Sequence, residues 1–280
     1  MIEREGVSQA FGGAVRGNGH GGRNVEFLFH WGFTYADGDN MRILVVNVNT
    51  TESMTDSIVA TARAAAAPGT EIIGLTPSFG ADSCEGNVES YLAAIGVLDC
   101  VLKYPEPFDA VVQAGFGEHG REGLQEALDV PVVDITEAAA LMAGLLGHKF
   151  GVVTTLDRTV PLIEDRLLLA GFERRCAAVV ASGLSVLELE QDHDRTVAAI
   201  VAKAQEIVTR HGVEVICLGC GGMAGLDEAV AAATGAPVVD GVASAVTLAE
   251  GLVRMKLRTS KVRTYASART KRISGWPLRS

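Results

Sequence analysis

Pro131-Val132-Val133-Asp134, running on into Thr136-Glu137-Ala138-Ala139, comes back as Pro237-Val238-Val239-Asp240, running on into Val242-Ala243-Ser244-Ala245, 106 positions later. Two further matches keep nearly that spacing. Asp109-Ala110-Val111-Val112-Gln113-Ala114-Gly115 aligns with Glu214-Val215-Ile216-Cys217-Leu218-Gly219-Cys220 at an offset of 105, and Ile43 to Asn49 aligns with Phe150 to Leu156 at 107. Three matches in one order at one spacing mark an internal duplication. Several of the matched segments are short continuous apolar runs, the pattern of parallel strands buried on both faces.

Working outward from these runs, strands are expected at Ile43–Val48, Glu71–Leu75, Ala110–Gln113, Val130–Val133, Phe150–Thr154, Val215–Leu218 and Pro237–Val239. Helical patterns fall between them, at Thr55–Ala67, Val88–Lys103, Arg121–Leu128, Glu137–Leu146, Val160–Ala170, Arg195–His211, Asp227–Thr234 and Ala243–Arg254. Strands alternating with helices predict an α/β fold of two similar parallel-sheet domains. The first is expected over 41–145 plus about 247–265, the second over 146–246. Residues 1–40 hold nine glycines and no sustained period, and read as a flexible extension or as sequence ahead of a working start at Met41. Beyond Glu250 nine Lys or Arg occur with no acid, so 266–280 reads as a basic tail.

Composition narrows the function. The chain has 280 residues, 48% hydrophobic and 21% charged, which suits a globular protein with an ample core. A net charge of −10 argues against a general nucleic-acid-binding role. No apolar run reaches the length of a membrane span, and the start lacks a secretory pattern. Five irregularly spaced cysteines read as free thiols of a cytoplasmic protein.

In α/β sheets, ligands bind beyond the carboxyl ends of the strands. Two facing halves would build one cleft, with the loops starting at Gly115 and Cys220 opposed. Cys220 ends a strand in Cys217-Leu218-Gly219-Cys220-Gly221-Gly222-Met223. Flanking glycines let backbone amides approach a ligand, and a helix start just beyond would lower the thiol pKa. That suits a proton-abstracting base or a nucleophile. Cys217 completes a Cys-x-x-Cys, but residues three apart on a strand point to opposite faces, and no second pair with metal-ligand spacing exists. Cys217, Cys84, Cys100 and Cys176 therefore read as structural, Cys84 least surely because of its Gly-rich loop.

Gly115-Phe116-Gly117-Glu118-His119-Gly120 matches the dinucleotide fingerprint Gly-x-Gly-x-x-Gly. It lies outside the first β-α unit, however, and its repeat partner carries Cys220, so a tight anion-binding turn for a small ligand is the preferred reading. Asn47-Val48-Asn49-Thr50-Thr51, Thr154 and Thr155 end repeat-related strands and point to the same cleft, with Thr51 also placed to cap a helix. His119 lies near a helix N-terminus, where an imidazole stays neutral.

These motifs carry a resemblance. The core from Met41 to about Pro277 resembles the hydantoin and allantoin racemase branch of the aspartate/glutamate racemase superfamily, through Asn47-Val48-Asn49-Thr50-Thr51, Glu85-Gly86, Ala114-Gly115-Phe116-Gly117, Leu218-Gly219-Cys220-Gly221-Gly222-Met223, and Thr259-Ser260-Lys261 through Tyr265. The resemblance implies two domains related by a pseudo-twofold, no cofactor or metal, and two cysteines acting as bases on opposite faces of a carbon acid. Here the family's first cysteine aligns with Gly115, and its Asp-Pro with Glu118-His119.

The resemblance leads to the expectation of a racemase acting beside a carbonyl of a hydantoin-like cyclic ureide or related small carbon acid. Cys220 is its thiolate, and His119 or Glu118 serves the other face, with His119 preferred. Gly115, Phe116, Gly117, Gly221 and Gly222, together with Asn49 and Thr155, would hold the developing enolate. Arylmalonate decarboxylases are similar in keeping only the second cysteine, so a one-cysteine decarboxylase is the alternative; a non-catalytic small-ligand binding protein is a third. The partners expected are a small-molecule substrate and further copies of the chain, with neither nucleic acid nor membrane.

Overall fold

The computed structural model describes residues 40–267 and Arg269. The extension expected over 1–40, Asn40 apart, and the tail expected over 266–280, Ala266, Ser267 and Arg269 apart, lie outside the described residues.

The first half runs β1 (Met41–Val46), α1 (Glu52–Ala65), β2 (Thr70–Leu75), α2 (Asn87–Leu102), β3 (Ala110–Gln113), α3 (Arg121–Ala127), β4 (Val132–Asp134) and α4 (Ile135–Leu146). The second runs β5 (Phe150–Thr154), α5 (Val160–Leu169), β6 (Cys176–Ala181), α6 (His193–His211), β7 (Val215–Leu218), α7 (Asp227–Thr234), β8 (Val238–Val239) and α8 (Gly241–Arg254). Two four-stranded parallel sheets result, ordered β2-β1-β3-β4 and β6-β5-β7-β8. Under the duplication these are the same order, so each half forms one lobe of an α/β pair. All eight expected helices form.

One strand was absent from the expected set. β6, Cys176-Ala177-Ala178-Val179-Val180-Ala181, is an edge strand whose side chains are mostly half-buried. Small alanines give it little strand pattern, and pairing with β5 makes it a strand. β4 also starts later than expected. Pro131 and Pro237 stand just before their strands and contribute carbonyls, accepting from Val111 N and Ile216 N at 2.9 Å each.

The repeated aspartates do the same local work. Asp134 Oδ1 accepts from Thr136 N and Glu137 N at 2.8 and 2.9 Å, and Asp240 Oδ1 from Ala243 N at 2.8 Å, so each caps the helix next in the chain. Those helices then change sides. Ala139, Ala140 and Ala143 of α4 pack into the core of the second lobe, with Phe150, Val152, Val215 and Cys217. Val242, Ala245, Val246 and Ala249 of α8 pack into the first, with Ile43, Val45 and Val112. α4 and α8 also touch each other. The lobes are joined by exchanged helices, which leaves the strand ends facing across a fixed gap.

Candidate active site

The gap is a cleft with about 440 Å³ of empty space, its open mouth included. Four strand ends build it: Asn47–Asn49 after β1, Ala114–Phe116 after β3, Thr154–Thr155 at the end of β5, and Gly219–Gly222 after β7. The two central loops meet directly, because a Cβ on Gly221 would lie 2.8 Å from the Ala114 carbonyl oxygen. Only a glycine fits that approach.

Of the expected site residues, Cys220, His119, Asn49, Gly115, Phe116, Thr155, Gly221 and Gly222 all line this cleft, and Gly117 does not. Two backbone amides expected to hold an oxyanion are already engaged: Gly117 N donates to Thr136 Oγ1 at 2.8 Å, and Gly222 N to Cys220 Sγ at 3.4 Å. Thr51 precedes α1, but its hydroxyl donates to the Asp82 carbonyl instead of capping the helix. Asn47 and Asn49 brace the first loop: Asn47 Nδ2 donates to Asn49 Oδ1 at 2.9 Å, which also accepts from Thr51 N at 3.0 Å.

Cys220 corrects a further expectation. Its strand runs into a three-residue 3-10 turn, Gly221–Met223, too short to supply a strong helix field. Burial instead pushes the thiol up to about 11, against the lowering effect of the Gly222 N–H and with a further rise from Glu85. The resting group is therefore a thiol.

Across the cleft, His119 is 6% exposed. Burial lowers its pKa to about 4, although Asp134 and a hydrogen bond with the Phe116 backbone favour the charged ring. Burial, and not the helix start that was expected to act, keeps the imidazole neutral, and its Nδ1 has no hydrogen-bond partner among the described residues. A Cβ on Gly115 would lie 2.3 Å from His119 Cδ2, so the ring fills the space a side chain at 115 would need. Gln113, fully buried, would be 2.8 Å from that Cβ through Nε2, and neither of its amide atoms has a partner among the described residues.

Glu118, next in the same turn, does not line the cleft. Its Oε1 accepts from Gly120 N at 2.8 Å, and its Oε2 lies 3.2 Å from Arg166. Burial and a hydrogen bond with Glu122 raise its carboxyl to about 7.

Cys84, which the sequence reading takes as structural, lines the cleft with its thiol donating to the Val48 carbonyl at 3.2 Å. Burial pushes it up to about 12. Its place after β2, at the same sheet edge as the loops of β1 and β3, was the available signal. Cys217 lies on the other side of its strand, fully buried, with Sγ donating to the Ala139 carbonyl at 3.7 Å. Among the described residues no group of three or more His, Cys, Asp or Glu is placed to hold a metal ion, and no helix is long and apolar enough to cross a membrane.

The family model described as Asp/Glu/Hydantoin racemase matches residues 43–249. A hydantoin racemase of Rhizobium meliloti is 36% identical over 236 residues, which is 84% of this chain and 98% of the relative. One of Pseudomonas sp. (strain NS671) is 34% identical over 226 residues, 80% and 91%. Among solved structures, allantoin racemase from Pseudomonas fluorescens superposes with a TM-score of 0.83 at 67% identity, covering 84% of this chain and all of that one. Unliganded arylmalonate decarboxylase superposes with a TM-score of 0.52 at 17% identity, covering 76% and 93%, a likeness of fold alone.

Proposed function

The chain belongs to the Asp/Glu/Hydantoin racemase family, and from that premise we propose that it inverts the carbon beside a carbonyl in a hydantoin-type cyclic ureide by proton transfer to and from the Cys220 sulfur. Allantoin, itself a hydantoin bearing a ureido group, is the substrate to test first, because the 67% identical neighbour is an allantoin racemase. Decarboxylation has weaker support, since the arylmalonate decarboxylase likeness rests on the fold. The observation that carries the reading is the pairing of Cys220 with the Gly115–Gly120 turn, one from each lobe, around a single cleft.

In one direction the Cys220 thiolate takes the α hydrogen as a proton, forming S–H. The C–H electron pair passes to the neighbouring carbonyl oxygen as an enolate. A proton held on the opposite wall then returns to carbon from the other face, and the enolate electrons form the new C–H bond. The reverse direction starts from the thiol and an unprotonated group opposite. One proton is thus shared between two walls, and the product of each direction is the starting state of the other.

His119 is the group we assign to the second wall, because it faces the cleft. A second reading gives that wall to Glu118. Its carboxyl at about 7 lies nearer the thiol at about 11 than the imidazole at about 4 does, and acid–base pairs work best when similarly poised.

The test incubates each enantiomer of allantoin in deuterium oxide and tracks α-deuterium incorporation and optical rotation. Wild type exchanges and racemises both enantiomers. Cys220→Ser loses roughly 100- to 10,000-fold in rate; near-wild-type racemisation in that variant refutes the thiolate. Loss in His119→Asn with Glu118→Gln active assigns the second wall to the imidazole, and the opposite result assigns it to the carboxyl. Full activity in both removes the turn from the chemistry.

A further inference from the structure

Behind the Gly115–Gly120 turn lies a cluster of charge that the proton-transfer scheme leaves unused. Arg166, on α5 of the second lobe, is 3% exposed and reaches into the first lobe. One end of its guanidinium lies 2.6 Å from Glu122 Oε1 and 3.2 Å from Glu118 Oε2. The other end lies 3.2 Å from Asp134 Oδ2 and 3.0 Å from Glu137 Oε1. Arg121 shares three of these partners, at 2.8 Å from Glu122, 3.3 Å from Asp134 and in closer contact with Glu137. All four carboxylates and Arg121 belong to the first-lobe segment 118–137, so within the cluster Arg166 is the cation that crosses between lobes.

The charges do not balance. Two guanidiniums face four carboxylates, and the excess falls on the pair that touch, Glu118 and Glu122. Burial alone would raise both. Hydrogen bonds from Glu118, Arg121 and Arg166 instead draw Glu122 down to about 2, while Glu118 rises to about 7. The groups facing Glu118 are Glu122, Arg166 and the Gly120 N–H, with neighbouring His119 also within the field of Arg166 and Asp134. Removing the Arg166 charge removes an influence that lowers Glu118, so its titration would move upward.

We propose that Arg166 is a positioning residue for the reaction: its guanidinium struts the turn carrying Glu118 and His119 against the lobe carrying Cys220, and so registers the second wall of the cleft against the first. The buried fork is suited to this work, since a planar guanidinium holds several carboxylates in fixed directions where an ammonium would not. The inference rests on the two-wall reading of the cleft.

The experiment prepares Arg166→Gln and Arg166→Lys in the full chain, with circular dichroism as the check on folding. Both enantiomers of allantoin are assayed for kcat, KM, α-deuterium washout and the pH profile of kcat/KM. The expected result for Arg166→Gln is a kcat at least tenfold lower with KM changed less than threefold. For the enantiomer that presents its α hydrogen to Cys220, washout with retention should outrun racemisation, because the Cys220 wall still works while the other is displaced. Any limb of the profile near pH 7 should move upward. Arg166→Lys, which keeps the charge without the fork, should show the same imbalance between washout and racemisation, and decides the matter if the Gln variant does not fold. Wild-type kcat, washout ratio and pH profile in a folded variant overturn the proposal. Cys220→Ser is run alongside: if it racemises normally, the cleft reading has failed, and the Arg166 result is then read against a different mechanism.

Discussion

His119 offers a sharp test of how the cleft is sealed. Its imidazole titrates at about 4 in the folded protein, against 6.5 for the ordinary side chain, because burial disfavours the charged ring. Between those values the unfolded chain binds a proton that the native state refuses, so stability rises with pH through the window and is lost as pH falls from about 6.5 towards 4. The full span corresponds to about 3 kcal/mol, and by pH 4.5 most of it is gone. Asparagine cannot titrate, so His119→Asn lacks this component while sharing every other acid-sensitive group. Urea denaturation of both proteins at pH 7.5 and pH 4.5 isolates the difference. Wild type should lose about 2–3 kcal/mol more than the variant on acidification. Parallel losses would mean that the ring titrates normally and is open to solvent, which would refute the sealed, neutral imidazole.

Packing and charge set further outcomes. Gly115→Ala places a Cβ 2.3 Å from His119 Cδ2, 2.5 Å from Val48 Cγ1 and 2.8 Å from Gln113 Nε2; it should cost about 1–3 kcal/mol in urea melts. Adding His119→Ala should relieve part of that cost, and strict additivity in the double-mutant cycle would deny the shared space. Asp134→Ala removes a helix cap and a carboxylate facing Arg121 and Arg166, for a loss of about 3–5 kcal/mol by the same assay. Asp134→Asn retains the cap and should lose less. Phe150→Ala empties a fully buried site under α4 and α5 and should cost about 3–5 kcal/mol.

The duplication was the most legible part of the molecule, because buried strands and aspartate caps leave strong local signatures. β6 was less so: an alanine-rich edge strand owes its form to β5, although its first residue, Cys176, stands 106 positions after Thr70, where β2 begins. The repeat spacing itself could have located it. Strand-end logic likewise brought Cys220, His119, Thr155 and Asn49 to one cleft. What a linear reading could not supply was prior commitment and depth. The amides of Gly117 and Gly222 are spoken for by Thr136 and by the thiol itself, and the Cys220 environment raises the pKa where a helix start was expected to lower it. Arg166 escaped notice because nothing local marks it; its partners lie 29 to 48 positions away, in the other repeat.

The traded helices bear on how such a molecule can change. α4 closes the β-sheet of the second half, and α8 closes that of the first. A half-length chain would therefore bare part of one side of its sheet, beside the helix that stays, and two identical copies would cure this by swapping their last helices, forming a symmetric pair. In such a pair any substitution at the mouth of the third strand is made twice. Tandem linkage lifts that constraint, and only then can one mouth carry Gly115 while its twin carries Cys220.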